Sequence, residues 1–202
     1  GRCSGILPKD QIIPGEKLEM GSSVKVYVSK LEIGPKGPFI MLSRSHYGFV
    51  KRLLEIEIPE LSDGTIMLYS VARDAGSRSK IAVYTEYTNV DPIGAVIGEK
   101  GRRIANVLKE LSGEKIDVIL YDKDPVKFIA NALSPAKDVK VSIKDETKKE
   151  ALALVNDKNL SLAIGKKGQN VKLASRLTHY KIEVKPEEQE NTETTEETSV
   201  EE

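Results

Sequence analysis

Two short segments of this sequence carry glycine and lysine at a spacing that suits binding of a phosphate backbone. Residues 93–104 read IGAVIGEKGRRI and residues 160–171 read LSLAIGKKGQNV, and the two align without a gap. Each places Gly-x-x-Gly after an apolar half-helix and before a second predicted helix. Glycine lets another chain approach the backbone closely, and a helix N-terminus favours an anion. The duplicated pattern therefore predicts two loops that bind single-stranded nucleic acid.

The residues predicted to contact RNA lie in these two loops and in the helical turns that follow them. Glu99 places a negative charge in the first loop and is expected to point away, so the second loop is predicted to be electrostatically stronger. The predicted contacts are Gly98, Glu99, Lys100, Gly101, Arg102, Arg103, Gly165, Lys166, Lys167, Gly168, Gln169, Asn170, Lys172 and Arg176. Bases are predicted to turn onto an apolar groove formed by Ile97, Ile104, Ile164 and Val171, for which core packing is the alternative.

Other kinds of site find little support in the sequence. Neither loop matches the Gly-x-x-x-x-Gly-Lys-Ser/Thr pattern of a nucleotide-hydrolysing loop, and no Gly-x-Gly-x-x-Gly is present. His46 and His179 are the only histidines, and both lie at predicted helix boundaries. With Cys3 as the single cysteine, a zinc site is not expected. We therefore predict no catalytic residues, no metal and no cofactor.

The charge of the chain is unevenly distributed. Its 202 residues carry 31 basic and 31 acidic side chains, but residues 187–202 hold eight glutamates and no lysine or arginine. Without that tail, 23 acidic residues remain and the body is +8, which suits a nucleic-acid binder. The tail is predicted to be disordered. No apolar run of transmembrane length and no signal peptide is found, so we expect no membrane contact and a cytoplasmic location.

The elements that must position the two loops form a repeated order. Residues 1–44 read as short strands, at 24–28 and 39–42 among others, too few to close a barrel, so upstream strands are expected to be missing. A helix capped by Ser45 then leads into strand, strand, short helix, loop, helix and strand. The same order follows from residue 122. This order is typical of prokaryotic-type KH domains, whose Gly-x-x-Gly loop binds about four nucleotides.

Longer stretches resemble one family, the NusA transcription elongation and termination factors of bacteria. The resemblance is collinear over most of the chain and rests on residues 42–46, 51–60, 70–73, 80–83, 89–95, 113–117 and 161–177. It implies an α+β fold with a partial OB-fold of the ribosomal S-one type at 1–44. Two tandem prokaryotic-type (type II) KH domains follow at 45–121 and 122–186, and a disordered acidic tail at 187–202.

The resemblance also implies a function. The implied function is that of a monomeric, non-catalytic factor that binds nascent single-stranded RNA and affects pausing, termination and antitermination. RNA polymerase is an expected partner, mainly through an upstream domain that this sequence does not contain, and other antitermination factors are further expected partners. An alternative stays open at this point, namely an accessory RNA-binding region of an RNA-processing enzyme.

Overall fold

The computed structural model describes residues 4–34 and 37–187, and these form three small sheets along the chain, each with three strands. The predicted acidic tail beyond Glu187 and the centre of the predicted turn between Gly34 and Gly37 lie outside the described residues. Within the described ranges, no helix combines the length and the apolar character needed to cross a membrane. The helices and sheets together confirm the predicted α+β class.

The first sheet lies in the N-terminal segment. It contains β1 (Gly5–Ile6), β2 (Tyr27–Gly34) and β3 (Gly37–Ser43), in the order β1-β3-β2. The strand predicted at 24–28 begins only at Tyr27. The sheet leaves Leu31 and Ile33 exposed, at 66% and 88%. Three strands do not close a barrel, and the assignment of this segment to an OB fold stays a prediction.

The N-terminal segment is nevertheless part of the core that follows it. Ile13 is 1% exposed and packs in the same apolar cluster as Phe49 of the first long helix. Arg44 is buried, forms an ion pair with Glu16 at 2.5 Å and donates to the carbonyl oxygen of Glu110 at 2.9 Å. These contacts pack residues 4–44 against the next domain.

The second sheet belongs to the first repeat. Its elements are α1 (Tyr47–Glu57), α2 (Pro59–Ser62), β4 (Met67–Asp74), β5 (Arg78–Tyr84), α3 (Pro92–Ile97), α4 (Arg102–Glu110) and β6 (Lys115–Leu120). The predicted cap of α1 at Ser45 is wrong. His46 holds that position instead, because its Nδ1 accepts a hydrogen bond from the Gly48 N–H at 3.0 Å. Strand β5 pairs antiparallel with β4 and parallel with β6.

The third sheet belongs to the second repeat and has the same topology. Its elements are α5 (Pro125–Ala132), β7 (Lys140–Asp145), β8 (Glu150–Val155), α6 (Asp157–Ile164), α7 (Gln169–Thr178) and β9 (Lys181–Pro186). Strand β8 pairs antiparallel with β7 and parallel with β9. The predicted order of helix, strand, strand, helix, loop, helix and strand is confirmed in both repeats.

One apolar cluster spans both repeats, beside a second cluster that belongs to the first repeat and the N-terminal segment. Ala72 and Ala82 from the sheet of the first repeat are buried in the same cluster as Ile129 and Ala174 from α5 and α7 of the second. Small side chains at the sheet surface let the helices approach closely. The connection between the repeats is also short, since β6 ends at Leu120 and α5 begins at Pro125. The cluster that spans both repeats holds the two loops in a fixed relation to each other.

Candidate nucleic-acid interface

A short capped helix leads into each loop. Asp91 accepts a hydrogen bond from the Ile93 N–H at 3.0 Å at the start of α3. Asn156 does the same for the Asn159 N–H at 3.0 Å at the start of α6. Such caps satisfy N–H groups that the first helical turn leaves free. Both helices therefore have a defined start, which fixes the point at which the loop begins.

The two loops have the same backbone conformation. Gly98 has φ 74° and ψ 172°, and Gly165 has φ 75° and ψ 170°. Gly101 and Gly168 are left-handed, with φ 75° and 73°. The N–H of the second glycine donates to the carbonyl of the first, at 3.0 Å in the first loop and 3.1 Å in the second. The gapless alignment of the sequences thus corresponds to a repeated three-dimensional structure.

The second variable residue of each loop is a lysine in an unusual conformation. Lys100 has φ 52° and Lys167 has φ 54°, both in the left-handed region. That region is uncommon for a residue other than glycine and costs of order 1 kcal/mol or more. Both side chains are exposed. The strained backbone directs two lysines outward from the two loops at equivalent positions.

The glycines of each pair serve different purposes. A Cβ atom at Gly98 or Gly165 would lie 2.7 Å from the side chain of a residue in the following helix, so the first glycine allows close internal packing. A Cβ atom at Gly101 would meet no described atom within 4 Å, and one at Gly168 would meet only a lysine methylene at 3.8 Å. The second glycine therefore leaves open space beside the backbone, where a ligand backbone could approach.

Both loops open directly into a helix N-terminus. Helix α4 begins at Arg102 and α7 at Gln169, and among the described residues no side chain caps either start. The first N–H groups of an uncapped helix and its dipole favour a bound anion. The N–H groups of Arg102 and Gln169 donate to the carbonyl oxygens of Glu99 and Lys166, so a phosphate beside the second glycine would meet the positive end of the helix dipole and an exposed lysine.

Exposed charges differ between the two loops. The first loop has Glu99 beside Lys100 and Arg102, whereas the second has Lys166 and Lys167 with no acid between its glycines. Lys172 and Arg176 lie exposed on α7. Within the described ranges, none of these exposed side chains forms an ion pair within 4.0 Å. The second loop thus carries the larger concentration of unpaired positive charge.

Of the residues predicted to contact RNA, one is buried and another is paired with a carboxylate at the surface. Asn170 is 3% exposed, and its Nδ2 donates to the carbonyl oxygens of Leu133, Leu162 and Ala163 at 3.0, 3.1 and 3.0 Å. Arg103 donates to the Glu60 carboxylate at 2.9 Å and so is not a free cation. The prediction of direct contact is corrected for Asn170, because a buried side chain whose amide donors are already bonded cannot reach a ligand. For Arg103 direct contact stays a prediction, since its side chain is 34% exposed and, among the described residues, only its Nη1 is bonded.

Gln169 faces the first repeat. Its Nε2 donates to Asp74 Oδ2 at 2.5 Å and to Ser77 Oγ at 2.7 Å, both near the turn between β4 and β5. A cavity of about 370 Å³ lies at this contact and is lined by Asp74, Ser77, Lys166, Lys167, Gln169 and Lys172. The second loop therefore borders the other repeat, a position that its own sequence does not indicate.

The predicted apolar groove is only partly exposed. Ile97 is 37% exposed and Ile164 is half-buried, so both remain available beside the loops. Ile104 and Val171 pack against the two apolar clusters, which agrees with the alternative interpretation that these residues belong to the core. Leu162, at 47% exposure, is an apolar surface residue of α6 that the sequence analysis missed. The position of Leu162 about one helical turn before the second loop could have indicated an apolar residue beside that loop.

A larger groove lies between the two repeats. Its volume is about 700 Å³, and it combines the exposed edge of β6 with the end of α5. Leu120, which is 41% exposed, belongs to it. The residues that line it are Ile93, Val118, Ile119, Leu120, Ala130, Asn131, Ser134, Ala136, Lys137, Asp138 and Val139. The sequence analysis did not identify this groove, because its walls come from segments that are distant along the chain.

A charge cluster around the buried Lys80 joins the repeats next to the apolar cluster that spans them. Lys80 is fully buried, and its Nζ donates to Asp117 at 3.0 Å and to the Ser134 carbonyl oxygen at 2.7 Å. Arg78 pairs with the same carboxylate at 2.7 Å. Burial opposes ionisation of Asp117, but the hydrogen bond from Arg78 and the charge of Lys80 outweigh it and hold the pKa below its ordinary 3.8.

Comparison with protein families identifies both repeats. Residues 44–121 match a family model described as NusA-like first KH domain, and residues 125–192 match one described as NusA-like second KH domain. Together the two matched ranges include every element from α1 to β9. The topology of the structure and the family models therefore agree on two tandem KH domains.

Individual relatives extend this similarity. The chain is 49% identical over 187 residues to "Transcription termination/antitermination protein NusA" of Halalkalibacterium halodurans, covering 93% of this chain and 49% of the relative. The protein of that name from Bacillus subtilis is 49% identical over 93% of this chain and 50% of its own length. That from Thermus thermophilus is 47% identical, over 90% and 47%. The chain spans about half the length of the curated relatives that it matches.

Proposed function

Because the chain belongs to the NusA family and contains its two tandem KH domains, we propose that it binds single-stranded RNA during bacterial transcription. Its role would be that of the RNA-binding region of a factor acting on pausing, termination and antitermination. The nascent transcript is the proposed ligand, bound by both Gly-x-x-Gly loops. We propose no catalytic role, and the name that the relatives share favours a transcription factor over an RNA-processing enzyme.

One observation carries this proposal, the identical conformation of two loops that each open into an uncapped helix. A single loop of this kind would be weak evidence, since Gly-x-x-Gly occurs by chance. Two loops with the same left-handed lysine and the same hydrogen bonds require the same local packing twice. KH loops bind about four nucleotides each. Two of them on one rigid body suit a continuous single strand.

Further partners are proposed on the strength of the family alone. We propose that the protein contacts RNA polymerase and also other antitermination factors. We propose that the chain acts as a monomer in the bacterial cytoplasm, where transcription takes place. The domain division proposed is 1–44, 45–121, 122–186 and 187–202.

The proposal is tested by measuring affinity for single-stranded RNA of about twelve nucleotides as a function of salt. If the two loops together neutralise roughly six phosphates, the slope of log affinity against log salt is near −4. The same measurement with double-stranded RNA serves as a comparison, and it is expected to give weaker binding. Failure to bind any single strand at low salt would rule the proposal out.

Paired lysine substitutions locate the binding site. Lys166→Asp with Lys167→Asp is expected to weaken binding by tenfold or more, because about two phosphate contacts become repulsive. A matched control is Lys148→Asp with Lys149→Asp in the exposed turn between β7 and β8. Lys149, like Lys167, is left-handed, with φ 55° against 54°. Equal loss of affinity in both double variants would show that only total charge matters.

A further inference from the structure

Arg103 and Asn170 occupy the same position in the two loops, five residues after the first glycine. Arg103 Nη1 donates to the carbonyl oxygen of Ala95 at 2.8 Å, and Asn170 Nδ2 donates to that of Leu162 at 3.1 Å. Ala95 and Leu162 are themselves equivalent in the gapless alignment. Two chemically different side chains thus make the same hydrogen bond to the end of the helix before the loop.

Each of these side chains also reaches the helical segment that opens its domain. Arg103 bonds the carboxylate of Glu60 on α2, which directly follows α1. Asn170 bonds the carbonyl oxygen of Leu133, the C-cap of α5, at 3.0 Å. In both domains, therefore, one side chain joins the loop to the start of the domain.

The same two residues pack directly beneath the first glycine. A Cβ atom at Gly98 would lie 2.7 Å from Arg103 Cγ, and one at Gly165 would lie 2.7 Å from Asn170 Cβ. Two contacts are thus repeated at aligned positions, to the preceding helix and to the first glycine, and a third joins each side chain to the opening helical segment of its domain through a different partner. Repetition by different residue types indicates a shared geometric requirement.

We propose that Arg103 and Asn170 are positioning residues that hold the two loops in the conformation that receives RNA, without contacting RNA themselves. This inference rests on the proposed function. Carbonyl groups at a helix end lack partners within the helix, so a donor placed there fixes the helix end and the loop that follows. A loop already held in its bound conformation avoids the cost of ordering when the ligand binds.

Two substitutions at Arg103 separate positioning from direct contact. Arg103→Gln keeps an amide donor like that of Asn170 but removes the charge, whereas Arg103→Leu removes both. If Arg103 positions the loop, Arg103→Gln binds RNA within about twofold of the parent. Arg103→Leu then binds about tenfold more weakly, the loss expected for one charge-assisted hydrogen bond, with an unchanged salt slope. Direct phosphate contact predicts equal losses and a slope shallower by about 0.7 for both variants.

The neighbouring Arg102 provides the matched control. It is exposed and, within the described residues, forms no ion pair. Arg102→Gln and Arg102→Leu are expected to weaken binding equally and to reduce the salt slope by about 0.7. If the Arg103 variants behave as the Arg102 variants do, the positioning role is wrong and RNA binding stands. If the parent protein binds no RNA, both proposals fail.

Two further measurements exclude a role in folding alone. Thermal unfolding of every variant shows that binding is measured on folded protein, and a lower Tm with unchanged affinity for RNA would overturn the positioning role. Glu60→Gln adds an opposite prediction. If Arg103 positions the loop, Glu60→Gln is expected to weaken RNA binding, because Arg103 loses its partner. If Arg103 contacts phosphate directly, the released cation is expected to strengthen binding. Stronger binding would therefore contradict the inference.

Discussion

At the scale of a single residue, Asp117 pairs with two basic side chains at the contact between the two domains. It receives hydrogen bonds from Arg78 and from the fully buried Lys80, whose ammonium group also bonds the backbone of the second domain at Ser134. When one member of such a group is removed, the remaining buried charge has no partner. The resulting loss of stability is usually larger than the net stabilisation that the intact group provided. The Asp117 carboxylate therefore stabilises the contact between the domains by supplying the charge partner of the buried Lys80.

Asp117→Asn is expected to lower the free energy of unfolding by about 3 kcal/mol near neutral pH. The folded-state pKa of Asp117 lies below 3.8, so its stabilisation is complete above that value. It is lost as the pH falls through the folded pKa. The difference between parent and variant should therefore shrink at acid pH. Denaturant unfolding between pH 7 and pH 3 measures it.

Glu146→Gln, on the exposed turn between β7 and β8, is the control for this experiment, since it removes an acidic charge without burying or unpairing another group. It should change the unfolding free energy by less than about 0.5 kcal/mol. A difference between Asp117→Asn and the parent that stays constant with pH would mean that the carboxylate's ionisation is not the cause.

At the scale of elements, the N-terminal segment packs against the first KH domain, a contact that no pattern in the sequence indicates. Ile13 lies in an irregular stretch between β1 and β2, yet it is buried against the helices of that domain. Arg73 reinforces the junction by donating to the carbonyl oxygens of Arg44 and His46, both at 2.8 Å. The segment should therefore contribute to the stability of the domain that follows.

Ile13→Ala is expected to destabilise the protein by about 3 kcal/mol, because it leaves a cavity in a closed core. The matched control is Ile33→Ala on β2, where the side chain is 88% exposed and little apolar burial is lost. Chemical denaturation followed by circular dichroism compares the two. Equal stability of both variants would show that the first KH domain does not depend on the N-terminal segment.

At the scale of the whole molecule, the two KH domains behave as one body in this fold. One apolar cluster includes side chains of β4 and β5 and of α5 and α7, and the buried Lys80 bonds across the junction. A rigid pair fixes the distance between the two Gly-x-x-Gly loops. That distance then limits which RNA conformations can occupy both loops at once.

NMR relaxation should give a single rotational correlation time for both KH domains, since the apolar cluster that spans them prevents independent tumbling. Gln169→Ala removes the polar contacts to Asp74 and Ser77 but leaves the apolar core intact. The same single correlation time is therefore expected for that variant. Two distinct times in the parent protein would contradict the rigid pair.

The sequence by itself determined the repeated order of elements and the two loops. Glycine spacing, apolar periodicity and the Asp91-Pro92 helix start act over a few residues, so each can be interpreted without the fold. The positions of Lys100 and Lys167 at equivalent sites followed from the alignment alone. Even the choice of Ser45 over His46 as a cap was wrong by only one residue.

Only the tertiary structure decided which loop residues are free to meet a ligand. Asn170 is buried against Leu133, and Gln169 bonds Asp74, a residue 95 positions earlier. Partners this distant along the chain leave no local pattern, because the contact depends on how two whole domains pack. The sequence therefore locates the loops, whereas packing between and within the domains separates the residues that can bind RNA from those that hold the loops in place.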